Sequence, residues 1–286
     1  MDQKLIDLYD AYTHGGTSRR EFLERLTKLA GGTAAAMALL PLLENNYALA
    51  QTISEADERL LTGRVEYDAG GTKVAGYLAR PKGGGKHPAV IVIHENRGLN
   101  PHIQDVARRL AVEGFLALAP DLLSPLGGTP PDEAKAIELI GKLDARETVA
   151  RLAAAVPFLA KHAESTGKVG VVGFCWGGGF ANQLAAAGTS LNAAVAYYGM
   201  QLPAAQVPKI TAPLLLHYAS LDQRIDAGIG DYEAALKANN KPYELYMYEG
   251  ANHAFNNDTN AARYNKEAAT LAWSRTIAFL KKYLGS

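Results

Sequence analysis

Thiols are nearly absent from this chain: one cysteine, Cys175, stands among 286 residues. A lone cysteine excludes an intrachain disulfide and a cysteine-built metal site. An excess of one charge is missing too, with 29 basic and 29 acidic residues, and no basic block or stripe points to nucleic acid. The seven histidines fall into no H-x-x-x-H or H-E-x-x-H spacing, so no metal is expected, nor any other cofactor. The apolar stretch from Leu29 to Leu43 is short for a stable membrane span. Internal repeats and low-complexity tracts are absent. What is present is an ordinary globular composition, 48% hydrophobic and 20% charged, with length for one large α/β domain.

The single cysteine occupies a revealing place. Val169 to Phe174 reads as a strand, and a helix follows Cys175 after the turn Gly173-Phe-Cys-Trp-Gly177. This is a G-x-C-x-G version of the G-x-S-x-G nucleophile elbow. The elbow strains the backbone of its nucleophile, and side chains two residues before and after would collide with neighbouring elements. It also puts the sulfur at a helix N-terminus, where the dipole favours thiolate. A buried structural cysteine would need neither the glycines nor the switch from strand to helix.

Around the elbow the chain alternates. Arg64 to Asp68 and Lys73 to Ala79 flank a turn and predict a hairpin. Ala89 to His94 is a continuous apolar run, as in a central strand buried on both faces. Helix Ile103 to Glu113, strand Phe115 to Ala119 and a loop through Pro131 come next. A helical stretch then runs from Asp132 to His162, broken near Gly141 and kinked at Pro157. Beyond the elbow come strands Ala193 to Tyr198, Pro213 to Tyr218 and Tyr243 to Tyr248. Helix Asp226 to Asn239 precedes the last strand, and a closing helix runs from about Ala261 to Tyr283. The alternation predicts an α/β fold of the α/β-hydrolase kind. Its sheet is mostly parallel and covered by helices on both faces, with the chemistry beyond the carboxyl ends of the strands.

A thiol nucleophile needs a base, and the base an orienting acid. Downstream of Cys175 only His217 and His253 remain. His217 sits inside an apolar run and reads as a core histidine. His253, in the loop after the last strand, reads as the base. Asp222, in the loop after the preceding strand, reads as the acid, while Asp226 reads as a helix N-cap. The backbone N–H groups of Trp176 and Asn96 are the expected oxyanion donors. Glu95 either orients Cys175 and holds its proton or forms an ordinary ion pair. Arg97 and Tyr198 are the expected substrate contacts, Arg97 by pairing with a carboxylate unless it only neutralises Glu95.

His94-Glu95, Ala119-Pro-Asp-Leu122, Gly173-Phe-Cys-Trp-Gly-Gly178, the Asp222 loop and Gly250-Ala-Asn-His-Ala-Phe255 together resemble the dienelactone hydrolase, or carboxymethylenebutenolidase, family. The resemblance covers roughly Val65 to Leu284. It implies hydrolysis of a small-molecule ester or lactone, a Cys-His-Asp triad on Cys175, His253 and Asp222, and a thiol-contacting glutamate on Glu95. It also implies an arginine shortly after the histidine to hold a substrate carboxylate; this chain has Asn256 and Asn257 there. Two other readings share the scaffold: a broad carboxylesterase or thioesterase with the same triad, and a non-catalytic redox or binding protein.

Residues 1–50 differ from the rest. Ser18-Arg19-Arg20-Glu21-Phe22-Leu23, the apolar stretch and Ala48-Leu49-Ala50 together resemble a twin-arginine signal with its cleavage site. On that reading the export machinery is a partner and the mature chain is periplasmic. The alternative is a retained helical arm on a cytoplasmic protein, its apolar face formed by Leu5, Leu8, Phe22, Leu26 and Leu29. A linker is expected over 51–63 and the hydrolase domain over 64–286.

Overall fold

The computed structural model describes residues 1–285. Eight strands form one sheet: β1 (Leu60–Ala69), β2 (Thr72–Pro81), β3 (His87–Ile93), β4 (Leu116–Pro120), β5 (Ser165–Phe174), β6 (Ala193–Tyr197), β7 (Leu214–Ala219) and β8 (Tyr243–Tyr248). Their spatial order is β1-β2-β4-β3-β5-β6-β7-β8. β1 and β2 form the expected hairpin, β2 pairs antiparallel with β4, and every later pairing is parallel. β1 begins at Leu60, opposite Pro81 of β2, ahead of the start expected at Arg64.

The apolar run of β3 serves two cores. Val90 and Val92 face one layer, against Ile103, Val106 and Leu110 of α4 (Pro101–Val112) and Ile277 and Leu280 of α10 (Lys266–Leu284). Ala89, Ile91 and Ile93 face the other. There they meet Leu152, Val156 and Leu159 of α6 (Ala145–Ala160) and Ala181 and Leu184 of α7 (Trp176–Ala185). Alternating side chains of one strand thus bury both faces, the physical content of a continuous apolar run.

Helix boundaries depart from expectation in places. The stretch from Asp132 to His162 breaks at Gly141 into α5 (Glu133–Ile140) and α6, and α6 continues through Pro157. The helix expected over Asp226 to Asn239 is two pieces, α8 (Gln223–Asp226) and α9 (Ile229–Ala238). Asp226 is not its N-cap: Asp222 caps α8, accepting from the Ile225 N–H at 3.4 Å. The closing helix begins later than Ala261, where Asn265 accepts from the Ala268 N–H.

Residues ahead of β1 form three α-helices, α1 (Gln3–Thr13), α2 (Arg19–Ala30) and α3 (Thr33–Leu43), and a short 3-10 turn, Tyr47–Leu49. Leu5, Leu8, Tyr9, Phe22, Leu26, Ala36 and Leu43 make a small core of their own, with Ala262 packed against it. Among the described residues no single helix is long and apolar enough to cross a membrane. Polar contacts tie the arm to the sheet domain. Asn96 Nδ2 donates to the Thr13 carbonyl at 2.6 Å, Asn260 Nδ2 to the Leu43 carbonyl at 2.6 Å, and the Asn46 N–H to the Thr259 carbonyl at 2.7 Å.

Candidate active site

The elbow forms where β5 ends. Cys175 has φ 56° and ψ −117°, a conformation L-residues rarely adopt. Its N–H donates to the Tyr197 carbonyl at 3.0 Å, which pins the turn to β6. A Cβ at Gly173 would sit 2.0 Å from the Gly177 carbonyl oxygen, and one at Gly177 would sit 2.5 Å from those of Ile93 and His94. The glycines are a steric requirement of bringing β5, α7 and the end of β3 together.

Loops at the carboxyl ends of β7 and β8 deliver Asp222 and His253. Asp222 Oδ2 holds His253 Nδ1 in a short hydrogen bond, and both residues are buried. His253 Nε2 is buried without a protein partner, on the side facing the elbow. His217 lies in the core, between Thr276 Oγ1 at 3.1 Å and Tyr248 OH at 2.9 Å, as expected.

Neither the Asn96 nor the Trp176 N–H donates to a protein acceptor among the described residues. The loop carrying Asn96 is braced by His94. His94 Nδ1 donates to the Glu95 carbonyl at 2.6 Å, its Nε2 accepts from the Leu122 N–H at 3.3 Å, and its ring stacks on Trp176. Burial holds the His94 imidazole neutral, with its pKa lowered.

Glu95 and Arg97 stand elsewhere than expected. Glu95 Oε2 accepts from Asn257 Nδ2 at 2.9 Å, and Oε1 is buried without a partner; no hydrogen bond joins Glu95 to Cys175 or to Arg97. Arg97, expected as a substrate contact, does not line the cavity over Cys175. Its guanidinium is buried against Glu133 Oε2 at 3.1 Å, Asn96 Oδ1 at 3.1 Å and Tyr9 OH at 3.3 Å, so its donors are engaged by α5 and the arm. Tyr198, at φ 39°, lies under the site with its ring against His253 and Phe255.

A cavity of about 380 Å³ opens over Cys175. Trp176, Phe180, Met200, Ile137 and Ile140 give it an apolar wall, and Tyr198, His253 and Arg224 also line it. A larger groove of about 730 Å³ runs over β1 and β2, but its lining holds neither cysteine nor histidine.

Sequence reasoning missed the apolar wall and two basic side chains of the cavity. One is Arg224, in the first turn of α8. The other is His14, at the end of α1, whose Nε2 lies 3.2 Å from Cys175 Sγ. No local motif marks His14; the one signal is the i, i+4 spacing of Asp10 and His14 on a helix. The donor atoms of His14, Cys175 and His253 all lie within 4.8 Å of one another. Ligand atoms on a tetrahedral zinc are roughly 3.5 Å apart, so the three would have to draw together to hold an ion. Burial pushes the Cys175 thiol up, but His14 and then His253 outweigh it and bring the pKa down to about 5. The His253 imidazole is raised well above its ordinary value: burial opposes the shift, and Asp222 followed by Cys175 drives it.

Residues 74–284 match the family model for the dienelactone hydrolase family, and residues 1–31 match a YqhI-like model. A provisionally named carboxymethylenebutenolidase of Saccharolobus solfataricus is 35% identical over 76% of this chain and 96% of its own length. A probable 2-oxo-3-(5-oxofuran-2-ylidene)propanoate lactonase of Bradyrhizobium is 34% identical over 80% of this chain and 97% of its own. Among solved structures, a provisionally assigned dienelactone hydrolase from Klebsiella pneumoniae superposes with TM-score 0.73 at 32% identity, covering 78% of this chain and 99% of that one.

Proposed function

The chain belongs to the dienelactone hydrolase family of hydrolases, and from that premise we propose that it cleaves small esters or lactones through a Cys175-His253-Asp222 triad and a thioester intermediate. The observation that carries the reading is the Asp222–His253 pair, with a free, buried Nε2, beside a strained thiol at a helix N-terminus.

The Cys175 thiolate attacks the substrate carbonyl, a C–S bond forms, and the carbonyl electrons move onto oxygen. The unengaged N–H groups of Asn96 and Trp176 suit that oxyanion. Collapse breaks the ester C–O bond, and the leaving alkoxide takes a proton from His253 Nε2. Neutral His253 then draws a proton from water, hydroxide attacks the thioester, and thiolate leaves. Asp222 fixes the imidazole with Nδ1 protonated, so that Nε2 serves both transfers.

The apolar wall of Ile137, Ile140, Phe180 and Met200 suits a hydrophobic acyl or lactone ring. Turnover of unsaturated five-membered lactones and small aryl esters, followed in wild type and Cys175→Ala, tests the reading. The variant should lose about a thousandfold or more in turnover. Acid quench of the wild type should yield a Cys175 peptide carrying the acyl mass. Wild-type-like turnover by Cys175→Ala would sink the mechanism.

A further inference from the structure

We propose that His14, delivered by the N-terminal arm, is a second catalytic histidine that holds the proton of the Cys175 thiol, with Asp10 as its positioning residue. The proposal rests on Cys175 as the nucleophile of the preceding section.

Geometry carries it. His14 Nδ1 lies 2.8 Å from the Asp10 carbonyl oxygen and 3.2 Å from Asp10 Oδ1. A carbonyl oxygen only accepts, so Nδ1 carries a proton. The lone pair of neutral His14 is therefore on Nε2, which faces Sγ at 3.2 Å. His14 occupies the same chemical position as His253, whose Nδ1 is held by Asp222. Two carboxylate-held imidazoles thus flank one thiol, their rings edge to face with centroids 4.8 Å apart.

The helices add to this. His14 is the C-cap of α1, where the macrodipole favours a cation, and Cys175 precedes the first turn of α7, where it favours an anion. Charged groups on the surrounding elements fit the same assignment. Asp10 also faces Arg224 of α8 at 3.7 Å and Arg263 at 3.6 Å, and its carboxyl is held well below the usual range: burial opposes the shift, and His253, His14 and Arg263 drive it. Glu95 makes its hydrogen bond with Asn257 and not with the thiol. The Tyr198 hydroxyl stays neutral, pushed up by burial and then by Glu95.

The roles divide. In the resting enzyme the proton of Cys175 sits on His14 Nε2, giving an imidazolium–thiolate pair. His253 gives its own proton to the leaving alkoxide and regains one from water. His14 stays charged throughout and receives the thiolate when the thioester breaks. No co-reactant beyond substrate and water is required.

Cys175 is the only thiol in the chain, so alkylation by iodoacetamide reports this site alone, whether or not a substrate is known. In the full-length protein the alkylation rate should fall to half its plateau near pH 5. Removing a cation in hydrogen-bond contact should raise that midpoint by about one pH unit or more in His14→Gln, a roughly five- to tenfold loss of thiolate at pH 5. Asp10→Asn should move it in the same direction by less. His253→Gln should abolish turnover and leave a thiol that still reacts in weakly acidic solution. Superimposable alkylation profiles for wild type and His14→Gln, with both folded by circular dichroism, would overturn the proposal. Hydrolysis that persists in Cys175→Ala would instead overturn the nucleophile reading, while the alkylation profiles still decide the role of His14.

Discussion

At the scale of single residues, the arginine that lines the cavity is Arg224, not Arg97. Arg97 cannot serve a substrate without breaking contacts to Glu133, Asn96 and Tyr9. Arg224 is 38% exposed, and its one acidic partner among the described residues is Asp10 at 3.7 Å, so it keeps donors for an incoming anion. Arg224→Gln should therefore raise KM about fivefold for a lactone bearing a carboxylate, the size of one partly screened charge-assisted contact. It should leave KM for a neutral aryl ester unchanged. Equal effects on both substrates would assign Arg224 to the fold of the α8 loop. What the sequence made legible at this scale was whatever lies in a local motif. Cys175 sits between glycines, His253 and Asp222 sit in loops after identifiable strands, and the structure brings the three together. The placing of Arg97 was not legible because Glu133, its partner, is on another element. His14 escaped notice because its meaning depends on how an arm docks far along the chain, and no spacing rule spans that distance.

At the scale of elements, the elbow works as one unit with the end of β3. The positions of Gly177, Ile93 and His94 fix where the Asn96 N–H points, because a methyl group at 177 would meet both carbonyl oxygens at 2.5 Å. Gly177→Ala should thus push the Asn96 loop away from the thiol. The cost is about 2–3 kcal/mol, as for other overpacked core positions, read as a lower urea midpoint. The surviving folded enzyme should lose kcat more than KM, because in the proposed mechanism the displaced donor acts on the oxyanion and not on the bound ester. An unchanged midpoint with normal kcat would show that β3 and α7 can move apart freely. Every strand expected from the sequence is present, since apolar alternation and continuous runs are physical consequences of burial on one or two faces. Helix edges were less legible. Asp222 and Asp226 are both able caps, and the choice fell to Asp222 because the His253 contact already fixes its side chain at the loop.

At the scale of the whole molecule, the two readings of residues 1–50 make opposite demands on the active site. A signal peptide cleaved near Gln51 would carry away Thr13, His14 and Gly15, one wall of the cavity, together with Asp10. The carbonyl of Thr13 would leave Asn96 Nδ2 without its acceptor, and Tyr9 would leave Arg97 and the face of Arg263 uncovered. A retained arm keeps these groups satisfied and keeps Phe22, Leu26 and Leu43 out of water, worth roughly 1.5–3 kcal/mol for each large side chain. Arg19 and Arg20 lie exposed at the start of α2, where the Ser18 side chain caps the helix by accepting from Glu21. They contribute little to the arm's core, so Arg19→Lys with Arg20→Lys leaves the packing intact while removing any twin-arginine recognition. We expect intact-mass measurement of the native protein to find His14 still on the chain, and the double substitution to change neither the residue at which the native chain begins nor its cellular distribution. A native chain that begins near Gln51 and hydrolyses lactones at full rate would show that the site is complete without α1, and the second histidine would have no part in the reaction.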